Sequence, residues 1–266
     1  MDKRLKVNYG SLDDIPLPEI VYKYRDWSNE YHKRFITERE VYMASPRAFE
    51  DELDCHSPTR FDLLTKKQIY EYFLWSSKKQ NKGHSRQEHR KFARDWAKTS
   101  LVNDKKYVKK FMEDSIEEYY DHEGILSLTE NWNNDKMWNK YASNGEGFCL
   151  GYNARTMFRY LGGGGYVDYV DELPDIFPEP IMQFEEAMNN RIYKKLKKWS
   201  FEEEYRTKKF FPSPASSIER RTTLPREAFS CVILGDNISD THKSEIELAV
   251  KEFIGEIGVF HRKDYI

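Results

Sequence analysis

The sequence predicts an α+β fold, with a central mixed or mostly antiparallel sheet and an inserted helical subdomain. Short segments rich in β-branched and aromatic residues lie in both halves of the chain and are typical of strands. A long, charged segment with helical spacing separates two groups of them, so helices are grouped rather than alternating strictly with strands. We expect the 266 residues to form a single domain, 1–266, with 61–122 as the helical insertion.

Composition excludes several classes of protein. Aromatic residues make up 15% of the chain, which argues against disorder, and a formal charge of −2 gives no global field for nucleic acid. The three cysteines are far apart and match no zinc or disulfide pattern. No apolar run approaches the length of a membrane span. We therefore expect a soluble, cytoplasmic protein with reduced thiols, no membrane partner and no bound metal.

The first sixty residues contain two strand signals and one helix signal. "EIVYKYRDW" predicts a strand around 20–27, and "SNEYHKRFITER" predicts a helix over 28–39 with Ser28 as its N-cap. "EVYMAS" predicts a short strand that ends before Pro46, because a residue that precedes proline avoids the helical conformation.

The segment from about 61 to 120 has helical periodicity and a high density of charge. Its aromatic and aliphatic residues recur at helical intervals, as Phe92, Trp96, Phe111 and Ile116 show. The polar link "SKKQNKGHS" separates two parts of the pattern. We expect two to four helices here, widely exposed to solvent.

Strand signals return after Gly124. They occur in "GILSLTENW", "GEGFCLGYN", "YVDYVDEL", "SCVILGDNIS" and "IGVFHRKDY". Helices are expected at "DKMWNKYAS", over about 181–198 and near 243–253. The "GGGG" run at 162–165 is a turn and not a phosphate loop, since the lysine and Ser/Thr of such a loop are missing.

The segment "WSFEEEYRTKKFF" concentrates charge beside aromatic residues. As a strand from Glu204 onward, it would direct Glu202, Glu204 and Arg206 to one face and Glu203 to the other. One interpretation is a charge ladder on an exposed edge. The other is that Glu204 lines an active site while Glu203 is only solvated charge.

The order of several motifs resembles the bacterial and phage family known as domain of unknown function 2971. The resemblance spans nearly the whole chain and is most specific in two pieces. The first is MW-x-x-YA before a glycine-led strand, here Met137, Trp138, Tyr141, Ala142 and Gly147. The second is W-x-x-E-x-E-x-R, here Trp199, Glu202, Glu204 and Arg206. By analogy this resemblance implies a role in phage–bacterium conflict, but the family name supplies no activity.

Three shorter motifs also resemble the arginine–serine–glutamate type of ADP-ribosyltransferase, in the same order along the chain. They are Arg25 at the end of "YKYR", Ser127 and Thr129 in "SLT", and the pair Glu202-x-Glu204. This resemblance implies cleavage of the nicotinamide–ribose bond of NAD and transfer of ADP-ribose. The acceptor could be protein, nucleic acid, a small molecule or water.

The resemblance assigns catalytic roles to three residues. Bond cleavage passes through an oxocarbenium-like state, which a carboxylate on the ribose can stabilise, and we assign this to Glu204. Glu202 would orient or deprotonate the acceptor. Ser127 would position the ribose or the carboxylate. We predict that Arg25, Ser127 and Glu204 lie in one pocket.

Further residues are expected to bind NAD, which serves as the substrate. Arg25 would hold its phosphates by bidentate hydrogen bonds. The other predicted binding residues are Tyr22, Tyr24 and Tyr141, as rings that stack on nicotinamide, together with Thr129 and Arg206.

Other interpretations of the same residues stay open. Arg25 could form a structural salt bridge with Glu204 or Glu202, Ser127 could cap a turn, and Tyr141 could be a core residue. The protein could also be a non-catalytic module that binds protein or nucleic acid through Lys105, Lys106, Lys109 and Lys110. A metal-dependent nuclease is a third class, and it would use Asp168, Asp171, Glu172 and Lys208. The sequence does not indicate an oligomeric state.

Overall fold

The computed structural model describes residues 12–265, which divide into two compact units. The sheet unit contains the described residues up to Ser45, then 122–167 and those from Lys197 onward. The helical unit contains 46–121 and 168–196. The helical unit is therefore larger than the predicted insertion, because segments on either side of it in the sequence, 46–60 and 168–196, belong to it as well.

The sheet unit is built on one seven-stranded sheet. Its strands are β1 (Ile20–Arg25), β3 (Glu123–Thr129), β4 (Phe148–Asn153), β5 (Gly165–Tyr166), β8 (Glu204–Phe210), β10 (Phe229–Leu234) and β11 (Gly258–His261). They lie in the order β11-β10-β4-β1-β3-β8-β5. Only β10 and β11 pair in parallel, and the other neighbours are antiparallel. The predicted α+β fold with a mixed, mostly antiparallel sheet is thereby confirmed.

A second, two-stranded sheet in this unit joins β2 (Glu40–Tyr42) to β9 (Arg221–Thr223). The helices of the unit are α1 (Glu30–Thr37), α5 (Asp135–Tyr141), α6 (Ala154–Leu161) and α8 (Asp240–Ala249). Helix α1 begins later than predicted, because Asn29 is its N-cap and accepts a hydrogen bond from the Tyr31 backbone N–H. The predicted cap, Ser28, bonds instead to the Asp26 carboxylate.

The large sheet has a core on each face. On one face Val21, Leu126 and Leu150 pack with Phe35 and Ile36 of α1, and we call this the α1 face. On the other face, side chains from the alternate strand positions pack against Met137 and Trp138 of α5, and we call this the α5 face. The strand residues are Tyr22, Tyr24, Cys149, Cys231 and Ile233. Successive residues of one strand therefore contribute to different cores.

Two of the three cysteines belong to the α5 face. Cys149 and Cys231 lie on adjacent strands and are buried free thiols, and burial raises the pKa of both. The third, Cys55, is buried in the helical unit.

The helical unit contains α2 (Lys66–Gln80), α3 (Arg86–Thr99), α4 (Lys105–His122) and α7 (Phe184–Ile192), with the parallel strand pair β6 (Asp168–Val170) and β7 (Lys194–Leu196). Helices α2 and α3 each begin with a capping box, Thr65 with Gln68 and Ser85 with Glu88. Among residues 12–265, no helix is both long and apolar enough to cross a bilayer.

Helix α7 is shorter than the predicted helix over 181–198. It ends at Ile192. The next lysines, Lys194 and Lys195, lie in β7 and pair with acidic side chains. The amine of Lys194 bonds to the Asp168 carboxylate, and the buried amine of Lys195 lies 3.3 Å from Asp54. These contacts, together with the pairing of β7 with β6, override the helical propensity of the segment.

Candidate functional site

Strand register brings most of the predicted site residues to the α5 face. In the antiparallel pair of β3 and β8, Thr129 lies opposite Glu204 and Ser127 lies opposite Arg206. Thr129 also lies opposite Tyr22 of β1. Directly paired residues point to the same side of a sheet, so these side chains share one face.

Arg25 lies on the α1 face, away from this group. It is opposite Phe148, a core residue of the α1 face, and its guanidinium stacks 4.3 Å from the ring centre of Phe35. Glu204 lies two strands away from β1, in line with Tyr22, and Arg25 is three residues further along β1. These spacings put the two Cα atoms about 14 Å apart. The structure does not bring Arg25 together with Ser127 and Glu204, contrary to the prediction.

Glu202, Glu204 and Arg206 are buried, and with the half-buried Tyr141 we call them the carboxylate cluster. Arg206 Nε donates to Glu204 Oε2 at 2.6 Å, and these side chains are 0% and 6% exposed. The Tyr141 hydroxyl donates to Glu202 Oε1, also at 2.6 Å. The interpretation as a charge ladder on an exposed edge is therefore wrong, because the charges are inside. The salt bridge of Glu204 is with Arg206 and not with Arg25.

Two details of the segment around the cluster differ from the alternation that the sequence suggested. Glu202 ends a 3-10 helix, Lys197–Glu202, and does not belong to β8. Glu203 has a left-handed backbone with φ 44°, and its Oε1 accepts a hydrogen bond from Asn131 Nδ2 at 2.9 Å. Glu203 thus holds the loop after β3 and is not merely solvated charge.

The other predicted residues on the α5 face have structural contacts. The Tyr24 hydroxyl donates to the Asn131 carbonyl at 2.8 Å, and its ring packs edge-on against Trp138. The Tyr22 hydroxyl bonds to that of Tyr265. Burial raises the pKa of both tyrosines. These two rings are core residues, which leaves no face for the predicted stacking on nicotinamide.

The Thr129 side chain also has a structural contact, whereas the contact of Ser127 is made by its backbone. Thr129 Oγ1 accepts a hydrogen bond from the Asn131 backbone N–H at 3.0 Å, which caps the turn after β3. The Ser127 carbonyl accepts one from the Lys23 amine.

On the α1 face, Arg25 lines a cavity of about 460 Å³ that we call the Arg25 pocket. Helix α1, strand β2 and the segment that leads into β9 form its other walls. Three arginines and one glutamate contribute the charge: Arg25, Arg34, Arg221 and Glu40. Arg34 and Glu40 form an ion pair with N–O distances of 3.0 and 2.9 Å, so the pocket keeps an excess of positive charge.

Arg25 is the unsatisfied group in this pocket. Its Nη1 donates to the Tyr24 carbonyl at 3.1 Å, its buried Nε has no hydrogen-bond partner, and no described carboxylate forms an ion pair with it. Desolvation by burial lowers the pKa of Arg25 to about 10. The guanidinium is still charged at neutral pH, and withdrawing a charge from water without a counter-ion is unfavourable even for a residue that, like Arg25, stays partly exposed.

His32 adds a neutral donor to the same pocket. Its Nδ1 accepts a hydrogen bond from the Asp26 backbone N–H at 3.2 Å, which leaves the proton on Nε2. Burial, and then the charge of Arg25, lower the pKa of His32 to about 4, so the ring is uncharged at pH 7.

Sequence reasoning missed His32, Arg34, Ser217 and Arg221 as pocket residues. They belong to no motif, and the pairing of β2 with β9 joins segments about 180 residues apart in the chain. The basic run "HKR" in α1 was the one local pattern that could have indicated an anion site, but such runs are common on the surfaces of helices.

No family model, curated protein or solved structure matches this chain. Both family resemblances therefore stay predictions that rest on the motifs alone. Within residues 12–265, no three His, Cys, Asp or Glu side chains are grouped so that they could hold a metal ion. The residues named for a nuclease include Asp168, whose carboxylate is bonded to Lys194.

Proposed function

We propose that the protein binds a small anionic ligand in the Arg25 pocket, through a phosphate or carboxylate group held by Arg25. The observation that carries this proposal is a guanidinium that has no ion pair among the described residues and whose buried Nε lacks a hydrogen-bond partner. An oxyanion is the natural counter-ion, because its oxygens match the planar fork of the guanidinium.

The rest of the pocket favours a ligand with a ring or other apolar part attached to the anionic group. A volume of about 460 Å³ lies within the range of small-molecule sites. Phe35 and Val41 supply apolar wall, Tyr31 and Tyr42 supply aromatic surface, and His32 offers an N–H donor. Nucleotides and ring-bearing carboxylic acids have this chemistry, and NAD is one member of the class.

The proposal is tested by calorimetry with inorganic pyrophosphate, ADP-ribose, NAD and an aromatic carboxylate as probes. We expect at least one to bind, and Arg25→Met to weaken its binding by about 10- to 100-fold, the scale of a lost charge-assisted hydrogen bond. Arg226→Met is the matched control, since Arg226 is exposed and outside the pocket. Equal affinity in the Arg25→Met protein would contradict the proposal.

His32 provides a second measurement of the same event. A bound anion offsets the Arg25 charge that helps to lower the pKa of His32, so binding should raise that pKa from about 4. The shift can be followed by NMR titration of the imidazole in the presence and absence of the ligand. An unchanged titration with ligand bound would place the ligand elsewhere.

We propose NAD cleavage on the α5 face as a second candidate function. The specific observation in its favour is that Thr129 lies directly opposite Glu204, and Ser127 opposite Arg206, in the pairing of β3 with β8. These residues match the catalytic part of the transferase resemblance. Arg25 is not part of this candidate site, since it lies on the other face.

This second function predicts a selective loss of activity. Glu204→Gln, once circular dichroism has confirmed that it is folded, should lower nicotinamide release from NAD by about 100-fold, because one preorganised electrostatic contact to the oxocarbenium-like state is lost. Glu203→Gln should have little effect, since a glutamine oxygen can still accept the hydrogen bond from Asn131. Equal nicotinamide release by the wild type and both variants would eliminate the transferase candidate and leave ligand binding at Arg25 untouched.

A further inference from the structure

The helical unit carries a concentration of positive charge that the whole-chain balance hides. Residues 61–110 contain 14 lysines and arginines and 5 acidic residues, in a chain with a net charge of −2. Three of these cations form ion pairs with carboxylates on their own helices: Lys67, Lys109 and Lys110. The other cations of this segment have no carboxylate partner among the described residues, so they are available to an anionic partner.

The charges of α4 run against the preference of a helix. Lys105, Lys106, Lys109 and Lys110 lie in its N-terminal half, and five acidic residues occupy 113–121. The partial positive charge at a helix N-terminus favours acidic side chains there and basic ones at the other end. Lys109 and Lys110 are paired with acidic residues one turn further along the helix, but helix stability does not account for Lys105 and Lys106.

Exposed aromatic rings lie on the same helices. Trp96 of α3 is 47% exposed, and Tyr107 and Phe111 of α4 are 45% and 41% exposed. Tyr107 and Phe111 are parallel, with centroids 6.3 Å apart, and Trp96 stacks with Phe92 at 5.6 Å. Each of the three exposed rings thus keeps more than two fifths of its surface in solvent although it packs on another ring.

Two cavities adjoin the rings within the helical unit. One of about 230 Å³ is lined by Trp96, Tyr107 and Leu101, and one of about 370 Å³ is lined by Trp75, Met112 and Phe184. The two cavities share the walls formed by Phe61, Tyr72 and Phe111. Helices α2, α3 and α4, which contribute to these walls, also carry the unpaired cations, and we call the two neighbouring cavities the aromatic groove.

We propose that this aromatic groove binds single-stranded nucleic acid. Bases would stack on Trp96 and Tyr107, and phosphates would contact the unpaired lysines and arginines of α3 and α4. The bases of a duplex are already stacked on one another and cannot reach the rings. A membrane-binding helix presents one continuous apolar face, whereas these rings line concave cavities. The proposal is independent of the Arg25 pocket, which lies in the sheet unit.

Fluorescence anisotropy with a labelled polythymidine of about 16 nucleotides tests this proposal on the full-length chain. Trp96→Ala and Tyr107→Ala should each weaken binding by about 10-fold, and Trp96→Phe should retain most of the affinity because it keeps a ring. Lys105→Gln with Lys106→Gln should reduce the slope of log affinity against log salt by about 0.7 for each phosphate contact that is lost. Circular dichroism confirms that each variant is folded.

Tyr160→Ala and Lys251→Gln are the matched controls, because Tyr160 is 55% exposed and both residues lie in the sheet unit. They should bind like the wild type. The proposal is overturned if the wild type does not bind the oligonucleotide, or if folded Trp96→Ala and Tyr107→Ala bind it as tightly as the controls. Equal affinity for a duplex of the same length, or binding to phosphatidylserine vesicles in place of the oligonucleotide, would also overturn it.

Discussion

Replacing Arg206 with methionine is expected to lower the free energy of unfolding by about 3–5 kcal/mol. Arg206 is completely buried, and its Nε donates to a Glu204 carboxylate that is itself 6% exposed. Methionine fills much of the same volume but leaves the carboxylate without this donor in a poorly solvated place. Urea unfolding followed by tryptophan fluorescence measures the loss.

Two further variants separate this effect from a general loss of charge. Lys109→Met removes a cation whose partner is Glu113, in an exposed pair at 3.8 Å, and should change stability by less than about 1 kcal/mol. Arg206→Met combined with Glu204→Met should recover most of the stability, since no charge of the pair remains buried. A loss below about 1 kcal/mol in the single Arg206 variant would show that water reaches the cluster.

Gly147→Ala is expected to destabilise the sheet unit by about 3 kcal/mol. A Cβ at this position would lie 2.2 Å from the Arg25 carbonyl oxygen and 3.1 Å from both the Cα and the carbonyl oxygen of Ala142. All three are backbone atoms and cannot rotate away. The N–H of Gly147 donates to the same Ala142 carbonyl at 2.9 Å, which fixes the turn into β4.

Gly83→Ala is the matched control, because nothing lies within 4 Å of a Cβ built there. It should be neutral, or stabilising by about 0.4–1 kcal/mol through the lower entropy of the unfolded chain. The comparison is made by thermal unfolding under one set of conditions. A Gly147→Ala protein as stable as Gly83→Ala would mean that the backbone of β1 can move aside. Anion binding by Arg25 should then be measured in the same variant.

Local patterns predicted the elements whose signals are confined to a few neighbouring residues. The helical spacing of Phe92 and Trp96 predicted a helix there, and both residues lie in α3. The strand from Glu204 begins where the pattern placed it. In each case the determining contacts lie within one turn of a helix or along one strand.

The candidate site was predicted less well, because it depends on which face of the sheet a side chain points to. A shift of one residue reverses the face, and Arg25 directly follows Tyr24, which points to the α5 face. The order of motifs along a sequence carries no information about this. Glu202 does not follow the predicted alternation of faces either, because it ends a 3-10 helix just before β8.

The Arg25 pocket depends on pairing between distant segments. Tyr42 and Arg221 are opposite each other only because β2 and β9 form their own small sheet. Neither strand has more than three residues, and pairings of such short strands leave little trace in composition. Sequence motifs therefore do not indicate this pocket, because its walls come from segments that meet only in the folded protein.

The buried thiols make the opening of each unit separately measurable. Cys149 and Cys231 belong to the sheet unit and Cys55 to the helical unit, and none is in a disulfide. A thiol reagent modifies such a side chain only when the surrounding structure opens, and the modified peptide identifies which unit opened. The labelling rates in native buffer would therefore give two local opening free energies from one wild-type sample. Equal opening free energies would indicate that the two units unfold together, and different ones that they open independently.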